Sequence, residues 1–198
     1  MIYSHQFNGL TVTTGDIICT VDGTPNGLYG KFWQHVGGLI PGAIDHCALY
    51  VGPAGRCVEA NPMGVVVYDM PGDRWDASLV TEHRLFVDTL YGIAYPLANR
   101  GLSLTQERRI RVGVAQYCLL QASIGKPYNF NFPNSSTENA FYCSQLIYSA
   151  YLKYGINLNT NRIDLPSLDI LEAIVFPEEI WNECPHSRPA ESYITDRE

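Results

Sequence analysis

Gly52-Pro53-Ala54-Gly55 separates two runs of β-forming residues, Ile44 to Val51 and Arg56 to Ala60, and constrains the fold more than any other stretch of this chain. Proline presets one backbone angle and glycine supplies the others that a tight turn needs, so the two runs must double back as an antiparallel hairpin. Side chains alternate along a strand, which places Ile44, His46, Ala48 and Tyr50 on one face and Asp45, Cys47, Leu49 and Val51 on the other. With Pro53 and Ala54 as the loop and Gly52 paired with Gly55, residue 46 lies opposite Asn61, and Glu59 becomes its diagonal neighbour on the same face. Such neighbours are about 7–8 Å apart, a distance a glutamate can span, so Glu59 is expected to accept the Nδ1 proton of His46 and orient the ring. The expectation depends on parity, because a three-residue loop would send Glu59 to the opposite face.

A second signal lies far downstream. Asn134 to Asn139 is polar throughout, whereas apolar spacing begins abruptly at Phe141 and continues through Leu146, Ile147 and Ala150 to Tyr154, with Gly155 as the stop. This puts Cys143 in the first turn of a helix, where unpaired backbone N–H groups and the positive end of the helix dipole favour thiolate over thiol. The same N–H groups are suited to holding the oxygen of a tetrahedral intermediate. The bland alternative for Cys143 is a small buried residue at a helix end, and for His46 a hydrogen-bonded structural group. Both lose ground because nucleophile, base and orienting carboxylate all have candidates in one chain.

Four stretches, Asp45 to Gly52, Val58-Glu59-Ala60, Gly125 to Phe130 and Tyr142 to Leu146, together resemble the circularly permuted branch of the NlpC-type papain-like hydrolases. That branch is the YaeF/YiiX-like group, related to the lecithin-retinol acyltransferase-like enzymes. The histidine strand precedes the cysteine there, as His46 and Glu59 precede Cys143 here, and Gly15 to Ile18 is similar to the first strand of the family. The resemblance implies an α+β, circularly permuted papain-like fold spanning roughly residues 15 to 180, with Cys143 as nucleophile, His46 as general base and Glu59 as third member. It also implies a tyrosine beside the thiol. Tyr128, in Gly125-Lys126-Pro127-Tyr128, is the best match and Tyr142 the rival.

Composition is that of a compact enzyme. A hydrophobic fraction of 46% against 17% charged argues against disorder, and a formal net charge of −7 argues against nucleic acid as a partner. The 198 residues suit a single catalytic domain, 1–198. No run reaches the roughly 20 apolar residues of a membrane-spanning helix, and Met1 to Gln6 lacks the basic and apolar character of a secretory signal, so the chain is expected to stay in the cytoplasm. The six cysteines include no Cys-x-x-Cys pair, and the Cys184-Pro185-His186 cluster is poorly spaced for zinc, so no metal site and no cofactor are expected. Cys19, Cys47, Cys57 and Cys118 read as small buried hydrophobes, and His5, His35, His83 and His186 as surface or structural groups.

Strands are expected near Ile17 to Val21, Ile44 to Val51, Cys57 to Ala60, Val65 to Tyr68 and Leu79 to Val87. A long helix is expected from Ser103, its N-cap, to Ile124, with Glu107, Arg108, Arg109 and Arg111 on a solvated face. Shorter helices are expected at Ser167 to Ala173 and Glu178 to Asn182. The result is an antiparallel sheet carrying His46 and Glu59, packed against helices. Gly27 to Gly42, rich in glycine and aromatics, is either a packed amphipathic helix or one wall of an apolar pocket, with Phe32 and Trp33 as substrate-binding candidates and Tyr142 as a third. The expected activity is a cysteine hydrolase or acyltransferase acting on an amide or ester with an apolar or lipid-like acyl group. The alternatives are a cell-wall peptide hydrolase and a non-catalytic lipid or peptide binder.

Overall fold

The computed structural model describes residues 1–22, 42–84, 87–160 and 174–190. Strands β1 (Ser4–Phe7) and β2 (Leu10–Thr13) form a hairpin of their own, joined by Asn8 and Gly9 at φ of 49° and 77°. Positive φ at both loop residues gives the turn a twist that matches its strands, which is why an Asn-Gly pair favours this geometry. This hairpin was not among the expected strands.

A six-stranded antiparallel sheet forms the centre, in the order β6-β5-β4-β3-β7-β8. Its members are β3 (Ile17–Asp22), β4 (His46–Tyr50), β5 (Arg56–Asn61), β6 (Gly64–Asp69), β7 (Asp88–Ala94) and β8 (His186–Ser187). The turn between β4 and β5 is longer than expected: Val51 N–H donates to Arg56 O at 2.9 Å, so Gly52 to Gly55 all lie in the connection. Parity survives because two residues were added rather than one, and Leu49 faces Val58 while Tyr50 faces Cys57, in the expected register.

One expected strand is corrected. The described residues of Leu79 to Val87 form no strand: a short 3-10 turn at Ala77–Val80, capped by Asp76 accepting from Ser78 N–H, overlaps the start of that span, and the strand of this region is β7. The reason is Arg84, whose fully buried guanidinium lies between the carboxylates of Glu59 and Asp88. A buried charge goes where its partners are, whatever the local apolar spacing suggests.

Helix α1 (Leu104–Ser123) begins as the sequence implies, with Ser103 and Gln106 capping one another: Ser103 N–H donates to Gln106 Oε1 at 2.9 Å and Gln106 N–H to Ser103 Oγ at 3.3 Å. Ile110, Val114 and Cys118 form its buried stripe. Arg111, expected on the solvated face, is turned inward, donating to Asp16 Oδ1 at 2.7 Å and to Glu107 Oε1 at 2.8 Å. Helix α2 is Cys143–Leu152, and α3 is Pro177–Glu183 with proline in its first turn. The expected helix at Ser167 to Ala173 lies outside the described residues.

Two apolar clusters sandwich the sheet. Cys47, Leu49, Val58 and Ala60 face α1 and α2, while Ala48, Tyr50, Cys57 and Tyr68 face the β1–β2 hairpin and Trp75. Each fully buried large aliphatic or aromatic side chain stabilises this arrangement by about 1.5–3 kcal/mol relative to exposure. Among the described residues no helix is long and apolar enough to cross a membrane.

Candidate active site

Cys143 is the first residue of α2, preceded by Tyr142 in extended conformation at φ −96° and ψ 170°. The helix starts here because Gln145 reaches back: its Oε1 accepts from Tyr142 N–H at 3.2 Å and from Asn129 Nδ2 at 2.9 Å. Its Nε2 donates to the carbonyls of Ser135 and Thr137 at 3.1 and 2.8 Å. One buried carboxamide thus ties the polar loop to the helix start, and Ser144 adds a bond from Oγ to Val175 O at 2.6 Å. The thiol is held at a fixed place with only 6% of the residue exposed.

That place is the start of β4. His46 Nε2 lies 3.1 Å from Glu59 Oε2, and the ring also hydrogen-bonds Cys143. Glu59 shares the face of His46, as the parity of the turn requires, but the nitrogen differs: Glu59 takes Nε2, where Nδ1 was expected. Burial alone would push the imidazole pKa down, yet the Cys143 and Glu59 negative charges push it up to about 10. Cys143 moves the other way, to well below a free thiol's value. The Cys47 side chain hydrogen-bonds its sulfur, which outweighs the burial that opposes ionisation, and His46 and the Cys47 backbone add to the effect. Both shifts favour a thiolate beside an imidazolium, a pairing chemically suited to a nucleophile and a proton donor.

Glu59 is fully buried and its carboxyl is held well below the usual carboxylate range: burial opposes ionisation, and Arg84 and His46 overcome it. Arg84 Nε lies 2.9 and 3.0 Å from the two Glu59 oxygens, Tyr68 Oη donates to Oε2 at 3.0 Å and Asn61 Nδ2 to Oε1 at 3.0 Å. Sequence reasoning identified Glu59 and missed Arg84, Asp88, Tyr68 and the role of Cys47. An arginine directly before the apolar Leu85-Phe86-Val87 was the available signal for Arg84. Cys47 is buried as expected, but it also touches the thiol.

Both candidate tyrosines feel the Cys143 charge, and Tyr128 also feels Cys47 and Glu59. Its phenol is pushed up by burial first and then by Cys143, with Cys47 and Glu59 contributing. Tyr142 Oη accepts from Val175 N–H at 2.9 Å, which braces the helix start. An aromatic row runs from exposed Phe130 to Tyr128 (ring centroids 4.9 Å apart), and Phe132 lies 5.4 Å from Tyr142. Phe32 and Trp33 lie outside the described residues.

Residues 104–181, which include α1 and Cys143 but neither His46 nor Glu59, match the model of the permuted papain-like amidase family, YaeF/YiiX. The crystal structure of the metalloprotein YiiX from Escherichia coli O157:H7 aligns over 95% of this chain and 99% of its own, at a TM-score of 0.54 and 17% identity. The chain has the permuted papain-like fold of the YaeF/YiiX group. The family model supports a cysteine hydrolase of the general amidase kind. A search of curated proteins finds no significant match. YiiX is a metalloprotein. Among the described residues no group of three or more His, Cys, Asp or Glu side chains could hold a metal ion, and the Glu59 oxygens are already engaged by Arg84, Tyr68 and Asn61. These side chains do not fit a metal ion.

Proposed function

We propose that this chain, acting as one catalytic unit, cleaves an amide bond whose acyl side is apolar or lipid-like. The observation that carries this reading is the unbroken contact from Cys143 through His46 to Glu59. Cys143 Sγ attacks the carbonyl carbon, the N–H groups at the start of α2 stabilise the oxyanion, and His46 protonates the departing amine. A water molecule then attacks the thioester, giving its proton to His46, and the acid product leaves as the thiolate–imidazolium pair is restored. Glu59 holds the ring and stabilises its charge throughout. Tyr128 borders the thiol. An amine or alcohol replacing water in the second step would make the same site an acyltransferase.

Phe130, 59% exposed beside Tyr128, supports an apolar acyl group, as do Phe32 and Trp33 by their chemistry. Burying a few extra methylenes on such a surface is worth about tenfold or more in selectivity. The test is a series of acyl nitroanilides and nitrophenyl esters of rising chain length, with mass spectrometry for an acyl adduct on Cys143 and Phe130→Ala and Trp33→Ala in parallel. Rates should rise with chain length in the wild type and less steeply in the variants, and Cys143→Ser should lack turnover. Turnover that survives Cys143→Ser would remove the nucleophile. A flat chain-length profile would return a polar cell-wall peptide to first place.

A further inference from the structure

The carboxylate that orients His46 is shared among several donors. Glu59 Oε2 takes His46 Nε2 at 3.1 Å, Tyr68 Oη at 3.0 Å and Arg84 Nε at 3.0 Å. Arg84 is itself divided, because its two terminal nitrogens each donate to an Asp88 oxygen at 2.7 Å. Asp88 is fixed in turn by Thr20 Oγ1 at 2.6 Å and Trp75 Nε1 at 3.0 Å. The guanidinium carbon lies 5.1 Å from each of the Tyr68 and Trp75 ring centroids. Glu59, Arg84 and Asp88 are all at most 1% exposed.

Charge accounting makes this cluster more than a brace. Two buried carboxylates against one guanidinium leave a negative charge that water cannot screen, and among the described residues the further cationic side chain in contact with Glu59 is the His46 imidazolium. Asp88 grips the far side of Arg84, and by doing so keeps the guanidinium from fully neutralising Glu59. We propose that Arg84, Asp88 and Tyr68 are positioning residues that fix Glu59 against His46 and, by dividing the available positive charge and hydrogen bonds, set how firmly the imidazole keeps its proton.

The other groups around His46 come from separate elements. Cys143 of α2 and Cys47 of its own strand meet at the sulfur, and Tyr128 borders both. Thr20 of β3 stands directly across the sheet from His46. Glu178 of α3 accepts the N–H groups of Ala43 and Ile44 ahead of it. Thr20 also donates to Asp88, so Asp88→Asn alters that bond, whereas Tyr68→Phe leaves all of these contacts in place and tests the cluster alone.

The inference rests on the proposed use of His46 as base, and the experiment separates the two. The His46 imidazole is followed by NMR across pH, its signal assigned by loss in His46→Ala, in wild type, Asp88→Asn and Tyr68→Phe. Asp88→Asn removes a negative charge, so the His46 midpoint should fall by about one pH unit. Tyr68→Phe removes an O–H dipole aimed at Glu59, so the midpoint should rise by about half a pH unit. Should Asp88→Asn fail to fold, the near-isosteric Tyr68→Phe decides alone. An unmoved midpoint, or a change of the opposite sign, in either folded variant overturns the inference. Iodoacetamide labelling of the wild type is run beside it. Absence of selective Cys143 labelling would count against the proposed function, whereas intact labelling with unmoved midpoints would sink only the role given to the cluster.

Discussion

Cys47 shows how much a single atom contributes at this site. Burial first, and then its hydrogen bond to Cys143, push its own pKa up, so Cys47 stays protonated and its S–H is available as a donor to the neighbouring sulfur. That donor is the largest cause of the low Cys143 pKa. Cys47→Ala removes the donor and little volume, so the onset of the Cys143 thiolate should move to higher pH. Limited iodoacetamide treatment with peptide mapping should show Cys143 labelling at pH 6 slowed by about tenfold, in proportion to the thiolate lost, with the two proteins converging above about pH 9. Equal rates at that lower pH would mean that His46 alone holds the thiolate.

Patterning at the scale of strands and helices made the main parts of the site legible. The start of α2 was visible because a polar stretch gives way to apolar spacing at Phe141, and the shared face of His46 and Glu59 followed from period two and the turn between them. Arg84 was not legible in the same way. Its position is set by two carboxylates brought to it by the fold, a relation no local spacing encodes, and the expected Leu79 to Val87 strand failed for that reason. The Asn8-Gly9 hairpin carries a turn signal in the sequence, but its short strands are largely polar and give little apolar alternation. Arg111 was assigned to solvent since the helix face around it is charged, whereas Asp16 reaches it from another part of the chain.

The turn that keeps Glu59 on the correct face carries its own prediction. Gly55 has φ +76°, and a Cβ there would fall on the Met70 carbonyl oxygen, while Gly72 has φ +73° and nothing within 4 Å of the same atom. Gly72→Ala should therefore cost only the left-handed strain, about 1–2 kcal/mol. Gly55→Ala should cost clearly more, by about 1–3 kcal/mol for the added overlap. Chemical denaturation of both variants measures the difference, and equal losses would show that the Met70 carbonyl yields freely.

For the whole molecule, the paired titrations fix how stability follows pH. His46 holds its proton more firmly when folded, so its contribution is fully present below 6.5, its ordinary value, and is lost as pH rises toward about 10. Cys143 is the reverse, with a contribution present above 9.0 and lost as pH falls. Between those two ordinary values the slopes cancel, because the folded thiolate–imidazolium pair and the unfolded thiol and imidazole each bind one proton. Glu59 adds stability that is present above its ordinary 4.5 and is lost as pH falls into the acid range. Urea denaturation should give an unfolding free energy that is level from about pH 6.5 to 9 and declines on both sides. A slope near 1.4 kcal/mol per pH unit inside that range would show that only one of the two groups is displaced from its ordinary value.

The sheet is closed by β8, where Ser187 pairs with Ile93 and His186 with Ala94, and the thiol enters on a helix that follows β1 through β7 in the chain. Contacts between such distant stretches form slowly, since loop closure must come before they stabilise anything. A chain emerging from synthesis thus carries imidazole and carboxylate into their hairpin long before the sulfur exists to meet them. The timing follows from topology: the lowered pKa of Cys143 arises only when the late half of the polypeptide docks on the early half, and a half-made or misfolded molecule holds an ordinary thiol.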